Sequence, residues 1–338
     1  GEKLRQQKRG RCLSVDLEAR MKLRSMLWAE SRFSPDARLA SSGMTIVELL
    51  IATTCMIMVM GAVFMIFSSQ SKTATFEREI IDMQLNSRVA MERLTFLFSH
   101  AGYGCSESFD NGKTMSGDDP DTNATITIDS IVWDVQDNNA TGVSPDSVGV
   151  VYGFKKVTEV FGNYSNTSSN IDLENGPSPQ IKATTSEFKN YISFYPNIEG
   201  NEFYQVTDAS DPYDLDESVE LLIDDSAVYM VTPTRVKVIN GTLQFQNFCY
   251  DPGKWDIADN IQDLQLRYTT DGSTWVDDPA NPNDVIGVSI DLLARTDDPD
   301  PNYTDVKTYI LGGQTVGPFN DTFHRKHSRA RVWLRNTE

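Results

Sequence analysis

The sequence predicts an α+β chain: one long N-terminal helix, its first half transmembrane, packed on a mainly antiparallel β-sheet domain. Three observations carry this. Residues 44–67 form a single uninterrupted apolar run. Apolar and small residues recur at helical spacing over 76–101. Beyond about residue 103 the composition turns to Asp, Asn, Ser, Thr and Gly, with short alternating apolar stretches between turn residues.

The first element is MTIVELLIATTCMIMVMGAVFMIF, 24 residues from Met44 to Phe67. As a helix it would span about 36 Å, enough for a hydrocarbon core of roughly 30 Å. Beyond it, Phe76, Ile80, Met83, Ser87, Ala90, Leu94, Leu97 and Ala101 alternate at spacings of four and three, a seam on one helical face. Residues 68–102 are therefore an amphipathic continuation of the helix, ended by Gly102 and Gly104.

The region 103–338 reads as a β-rich globular domain. Strands are expected at 125–133, 147–154, 190–195, 219–223, 227–239, 242–248, 261–269, 285–294 and 329–334. Asn240-Gly241 between two alternating runs marks a two-residue hairpin, and Asp271-Gly272 a second with a longer loop. Polar stretches at 105–123, 155–187 and 295–307 read as surface loops.

The formal charge is −18, from 48 acidic and 30 basic side chains. Such a field repels phosphates, so a nucleic-acid partner is not expected. The charge is uneven: residues 1–43 hold ten Lys/Arg and five acids, leaving −23 for the remainder. A basic segment before the apolar run sets the N-terminus in the cytoplasm and exports the rest. Met21 or Met26 is the expected natural start. The run by itself fits a plain signal anchor, or a secretory signal cut near Ser68-Ser69-Gln70-Ser71.

Two residues narrow this. Glu48 stands inside the apolar run, where a carboxylate costs up to about 2.5–3.5 kcal/mol, and Gly43 stands directly before it. The segment Gly43-Met44-Thr45-Ile46-Val47-Glu48-Leu49-Leu50-Ile51-Ala52 closely resembles the type IV prepilin cleavage motif, with Met44 where that family most often has Phe. The resemblance implies that a prepilin peptidase cuts after Gly43, N-methylates Met44 and leaves the helix in place. It makes 1–43 a cleaved leader and 44–67 a transmembrane or filament-core helix. Glu48 would register one subunit against the next by meeting a neighbour's N-terminal amine, since a buried carboxylate needs a partner.

Three further segments resemble the PilW minor-pilin family and, more distantly, GspJ-type pseudopilins. They are 88–94 running to Ala101-Gly102-Tyr103-Gly104-Cys105, Ile261–Tyr268 followed by Gly287–Arg295, and His324–His327 leading to Val332–Asn336. The resemblance implies a pilin-like fold and a structural subunit that primes or caps type IV pilus assembly. The implied partners are other minor and major pilins, the prepilin peptidase and an inner-membrane assembly platform. The implied location is the bacterial inner membrane, single-pass, and then the periplasm or an extracellular pilus. Two alternatives stay open: a minor pseudopilin of type II secretion, and a pilus-tip adhesin or binding module using the polar 105–235 region.

Of the four cysteines, Cys12 falls in the leader and Cys55 in the membrane helix. Cys105 and Cys249 fall in the exported region, an oxidising setting where a disulfide is expected; the other possibility is two buried thiols. No GxSxG, HExxH or GxGxxG motif occurs, and Gly112-Lys113-Thr114 lacks the first glycine of a P-loop. An enzyme is not expected, and no cofactor is required. Asp118-Asp119-Pro120-Asp121, Asp277-Asp278 and Asp297-Asp298-Pro299-Asp300 offer the hard oxygens calcium prefers, but none has EF-hand spacing, and solvated acidic loops are the plainer reading. The C-terminal Arg325, Lys326, Arg329, Arg331 and Arg335 are expected in internal or intersubunit ion pairs, and His324 and His327 at a solvated strand edge.

Overall fold

The computed structural model describes residues 45–137, 144–173, 181, 189–195, 202–209, 213–222, 225–249 and 253–334. Helix α1 runs Ile46–Ser99, and a short α2 follows at Ser106–Asp110. The strands in chain order begin with β1 (Met115–Asp118), β2 (Thr125–Ile128), β3 (Val132–Gln136), β4 (Ser147–Glu159) and β5 (Tyr164–Ile171). Next come β6 (Tyr191–Tyr195), β7 (Phe203–Asp208), β8 (Tyr213–Leu222), β9 (Ala227–Ile239), β10 (Thr242–Asn247) and β11 (Gly253–Ala258). The last are β12 (Ile261–Thr269), β13 (Gly287–Arg295), β14 (Tyr309–Leu311), β15 (Gln314–Val316) and β16 (Arg325–Trp333).

The chain divides into two units at Ser68/Ser69. In the first, every residue from Ile46 to Phe67 is exposed, and this part makes α1 long and apolar enough to cross a membrane. In the second, the helix buries the expected seam: Met83, Ser87, Ala90, Leu94 and Leu97, with Phe98 added. Leu94 and Leu97 are almost fully enclosed, each worth about 1.5–3 kcal/mol relative to exposure.

Every pairing between named strands is antiparallel, as the alternating pattern implied. β9 is the hub of the larger sheet, pairing with β4, β6 and β10. The order outward from it is β10–β11 on one side and β6–β7–β8–β5 on the other, with β3 joined through β4. The Asn240-Gly241 hairpin links β9 to β10 as expected, with both residues at positive φ. Gly149 on β4 lies under the Trp133 ring, where a Cβ would come within 2.1 Å of it, so the close stacking of β3 on β4 requires glycine.

The smaller sheet is β12–β13–β16. Its middle strand β13 is buried on both faces. Val288, Ile290, Leu292 and Ala294 join the core that includes Ala90, Leu94 and Phe98 of α1. Leu293, on the other face, packs with Tyr309 and Leu311 of the β14–β15 hairpin. Ser87 and Ser328 hydroxyls meet at 2.8 Å where α1 lies on β16.

The α+β class is borne out, and so are most of the expected strands; the one expected at 125–133 is two, β2 and β3, in different sheets, and the polar stretches need further corrections. The presumed loop 105–123 holds α2 and β1, and the presumed loop 155–187 holds the end of β4 and all of β5. β7, β11, β14 and β15 were not foreseen. The Asp271-Gly272 turn closes on a single bridge, Tyr268 to Val276, rather than on a hairpin ladder.

Truncating Leu94 to Ala is expected to lower unfolding stability by about 2–5 kcal/mol. The same change at Leu85, 56% exposed on the same helix, should cost under about 0.5 kcal/mol. Urea titration of both variants followed by tryptophan fluorescence checks the pair.

Candidate functional site

The start of α1 is the first place to look. Gly43 and Met44 lie outside the described residues, as do Cys12 and the rest of the leader. Glu48 is described, and its side chain turns back on the first turn of the helix. Glu48 Oε2 accepts from the Thr45 backbone N–H at 2.9 Å and from the Thr45 hydroxyl at 3.1 Å. Thr45 Oγ1 in turn accepts from the Glu48 backbone N–H at 3.2 Å. This is a reciprocal capping box, T-x-x-E, which satisfies two donors that a helix start leaves orphaned. The sequence pattern Thr45-Ile46-Val47-Glu48 carries that signal, and reading Glu48 only as a charge inside an apolar run misses it. The carboxylate also sits at the positive end of the helix dipole.

Of the C-terminal basic residues, Arg335 lies outside the described residues, and the other four separate into two groups. Arg325 is buried and donates to Asp305 Oδ2 at 3.0 Å, to both Asp321 oxygens at 2.6 Å and to Gln262 at 2.6 Å. Arg329 grips Asp291 through two donors, and His327 Nε2 lies 2.7 Å from the same carboxylate. Burial alone would raise the Asp291 carboxyl, but the bonds from His327 and Arg329 hold it below the usual range. These contacts pin the segment after β13 onto the sheet. His324 stacks on Tyr303 at 3.8 Å and meets Asp300 at 3.2 Å. His324 and His327 thus lie at the edge strand, as expected, half-buried and each beside a carboxylate. Lys326 and Arg331 have no carboxylate partner among the described residues.

Part of the acidic clusters is spent on cations of the same chain. Asp119, Asp121 and Asp134 converge on Arg235, and Lys237 and Lys254 add to Asp121. Asp277 pairs with Arg267 at 2.9 Å. Among the described residues no group of three or more His, Cys, Asp or Glu is arranged to hold a metal ion. A polar cleft of about 730 Å³ lies between α1 (Asp82, Asn86), the β9–β10 turn (Asn240) and the segments around Asp259 and Asp297. Beside it, Glu79 Oε2 is buried without a partner. Burial, then the charges of Asp298, Asp297 and Asp300, push the Glu79 carboxyl up.

The disulfide expected between Cys105 and Cys249 is not made in this structure: both are free, fully buried thiols. Cys249 Sγ points instead to the Ser116 carbonyl at 3.6 Å. Burial pushes both thiols up, which suppresses the thiolate that oxidation needs.

Residues 251–336, about a quarter of the chain, match the family PilW, described as Type IV Pilus-assembly protein W. The resemblance read from the sequence is borne out over that stretch, which contains β12, β13 and β16. A search of curated proteins finds no match. Among solved structures, the chain is similar to a chain of the GspK–GspI–GspJ complex from the enterotoxigenic Escherichia coli type 2 secretion system. The identity is 9%, with 74% of this chain and 97% of that one covered and a TM-score of 0.32. It is also similar to the type IV-like pilin TTHA1219 from Thermus thermophilus, at 12% identity, with coverage of 77% and 98% and a TM-score of 0.34.

Two outcomes are expected. Asp263 is 1% exposed, its Oδ2 has no partner, and burial pushes its carboxyl up to about 6. The folded state therefore holds this proton more tightly than the unfolded chain, so stability falls as pH rises from about 4 to about 6. Asp263→Asn should stabilise the protein by up to about 3 kcal/mol at pH 7 and leave it unchanged near pH 4; melting curves across that range check the sign. Thiol titration of a Cys12→Ser, Cys55→Ser protein should find Cys105 and Cys249 unreactive when folded and two free thiols after denaturation without reductant.

Proposed function

We propose that the chain is a minor pilin, a structural subunit that primes or caps assembly of a type IV pilus. The observation that carries this is the start of α1: an apolar helix long enough to span a bilayer, whose one early carboxylate, Glu48, closes its first turn. The PilW match over 251–336 supports the same reading.

In this reading residues 1–43 are a leader removed between Gly43 and Met44 by a prepilin peptidase, which methylates the new amine. Residues 44–67 hold the subunit in the inner membrane with the N-terminus cytoplasmic, 68–102 continue the helix, and 103–338 form the exported domain. An assembly platform then moves the helix from lipid into a bundle with other minor and major pilins. Glu48 accepts through Oε2 within its own chain, and Oε1 remains to receive the N-terminal amine of a neighbour. A carboxylate has room for both. Cofactors play no part in this reading, and calcium would be at most an accessory to the acidic loops. A type II secretion pseudopilin would share the processing and differ in its machine; deleting the gene and scoring pili against secreted enzymes separates the two.

Co-expression with a prepilin peptidase should give a mature N-terminus of N-methyl-Met44, read by N-terminal sequencing and mass. Glu48→Gln keeps a capping acceptor but loses the charge, whereas Glu48→Ala loses both. Both variants should reach the membrane and be processed, and both should assemble poorly. Normal assembly of Glu48→Gln would reduce Glu48 to a helix cap.

A further inference from the structure

We propose that the outer edge of β16, with the flank of α1 beside it, docks an extended segment of another polypeptide, alternately apolar and acidic, as a fourth strand of the β12–β13–β16 sheet. This goes beyond the filament reading and does not depend on it.

β16 pairs with β13 on one side, and among the described residues no strand lies on the other. The register and the bond from Leu334 N to Ile286 O place the even-numbered residues of β16 in hydrogen-bonded pairs with β13. The backbone N–H and C=O groups of His327, Arg329 and Arg331 therefore point outward, a row that an incoming strand can pair with. Beside this edge lies a groove of about 630 Å³, bounded by Ile81, Leu85 and Arg88 of α1 and by Lys326, Ser328 and Ala330. Ile81 is 61% exposed there. Residues of an added strand opposite Lys326, Ser328 and Ala330 would share the face that looks toward Ile81 and Leu85, and apolar side chains there would cover both.

Charge selects the occupant. Lys326 and Arg331 have no carboxylate partner among the described residues, and Arg331 lies over the Trp275 ring, 5.0 Å from its centroid. A second copy presenting the same edge would set these cations against their own kind, the usual way an edge strand discourages self-pairing. The acidic positions of an alternating strand fall on the face of Arg331 and meet it there, while Lys326 borders the apolar groove. At a screening length of about 8 Å the local basic edge governs the encounter rather than the distant negative surface.

The test uses the full chain in detergent micelles and three fluorescein-labelled decapeptides. One alternates valine with glutamate, one alternates valine with lysine, and one is the glutamate peptide N-methylated at the amides that would face β16. The glutamate peptide should bind at least about tenfold more tightly than the other two. Its binding should protect the Arg329 and Arg331 amides from hydrogen exchange. Arg331→Pro removes one outward donor at a position an edge strand tolerates, and should weaken binding about tenfold. Arg331→Glu should transfer the preference to the lysine peptide. The proposal is overturned if the glutamate peptide fails to bind at about 1 mM, or if the three peptides bind alike. It is equally overturned if the charge-reversed protein keeps its original preference, or if the chain self-associates through this edge in sedimentation runs.

Discussion

Scarcity of positive charge is the constraint on which the tertiary structure depends. With 48 acids against 30 bases, many carboxylates come close to the core without a dedicated cation. The fold answers by giving single arginines several acids at once. Arg235 on β9 gathers Asp119, Asp121 and Asp134, which brings the β1–β2 turn and β3 to the hub of the large sheet. Arg325 gathers Asp305 and Asp321, which fastens the long irregular stretch after β13 to the small sheet, and Arg329 takes Asp291 directly across the β13–β16 pair. Removing Arg235 or Arg325 leaves a buried carboxylate, Asp119 or Asp305, without its cation, a larger loss than that of a surface pair.

Much of the fold could be read directly from residue pattern. The helical seam from Met83 to Leu97 names the buried face of α1 almost residue by residue, because helix periodicity and burial are both local properties. β9, β10, β12 and β13 were equally plain, since alternating Val, Ile and Leu leave little choice of face. β1 (Met115–Asp118) and β5 (Tyr164–Ile171) were hidden for the opposite reason. They are short or polar, rich in Ser, Asn, Thr or Asp, and they exist because a partner strand offers them hydrogen bonds. β-propensity is a property of place more than of residue, and place is not written locally.

The functional residues divide in the same way. Glu48 stood out as a charge in an apolar run, while its bond to Thr45 was also legible as a three-residue spacing. His327 meeting Asp291 was not legible, since 36 residues separate them and only the pairing of β13 with β16 brings them together. The thiols of Cys105 and Cys249 show how far the export argument reaches. It groups the two cysteines that follow the apolar run but does not say whether their sulfurs face each other, and here one faces a backbone carbonyl.

If the chain is cut between Gly43 and Met44 as proposed, the Thr45–Glu48 box has a consequence for that cut. A helix that borrows its cap from preceding residues frays when those residues are removed. Here both capping groups lie at or after Thr45, so α1 has a finished end independent of whatever came before it. A protease acting next to such an end releases its leader without loosening the first turn. The amine that the proposed cut would expose would then emerge next to a carboxylate already held in place, so the end would be built before it is made.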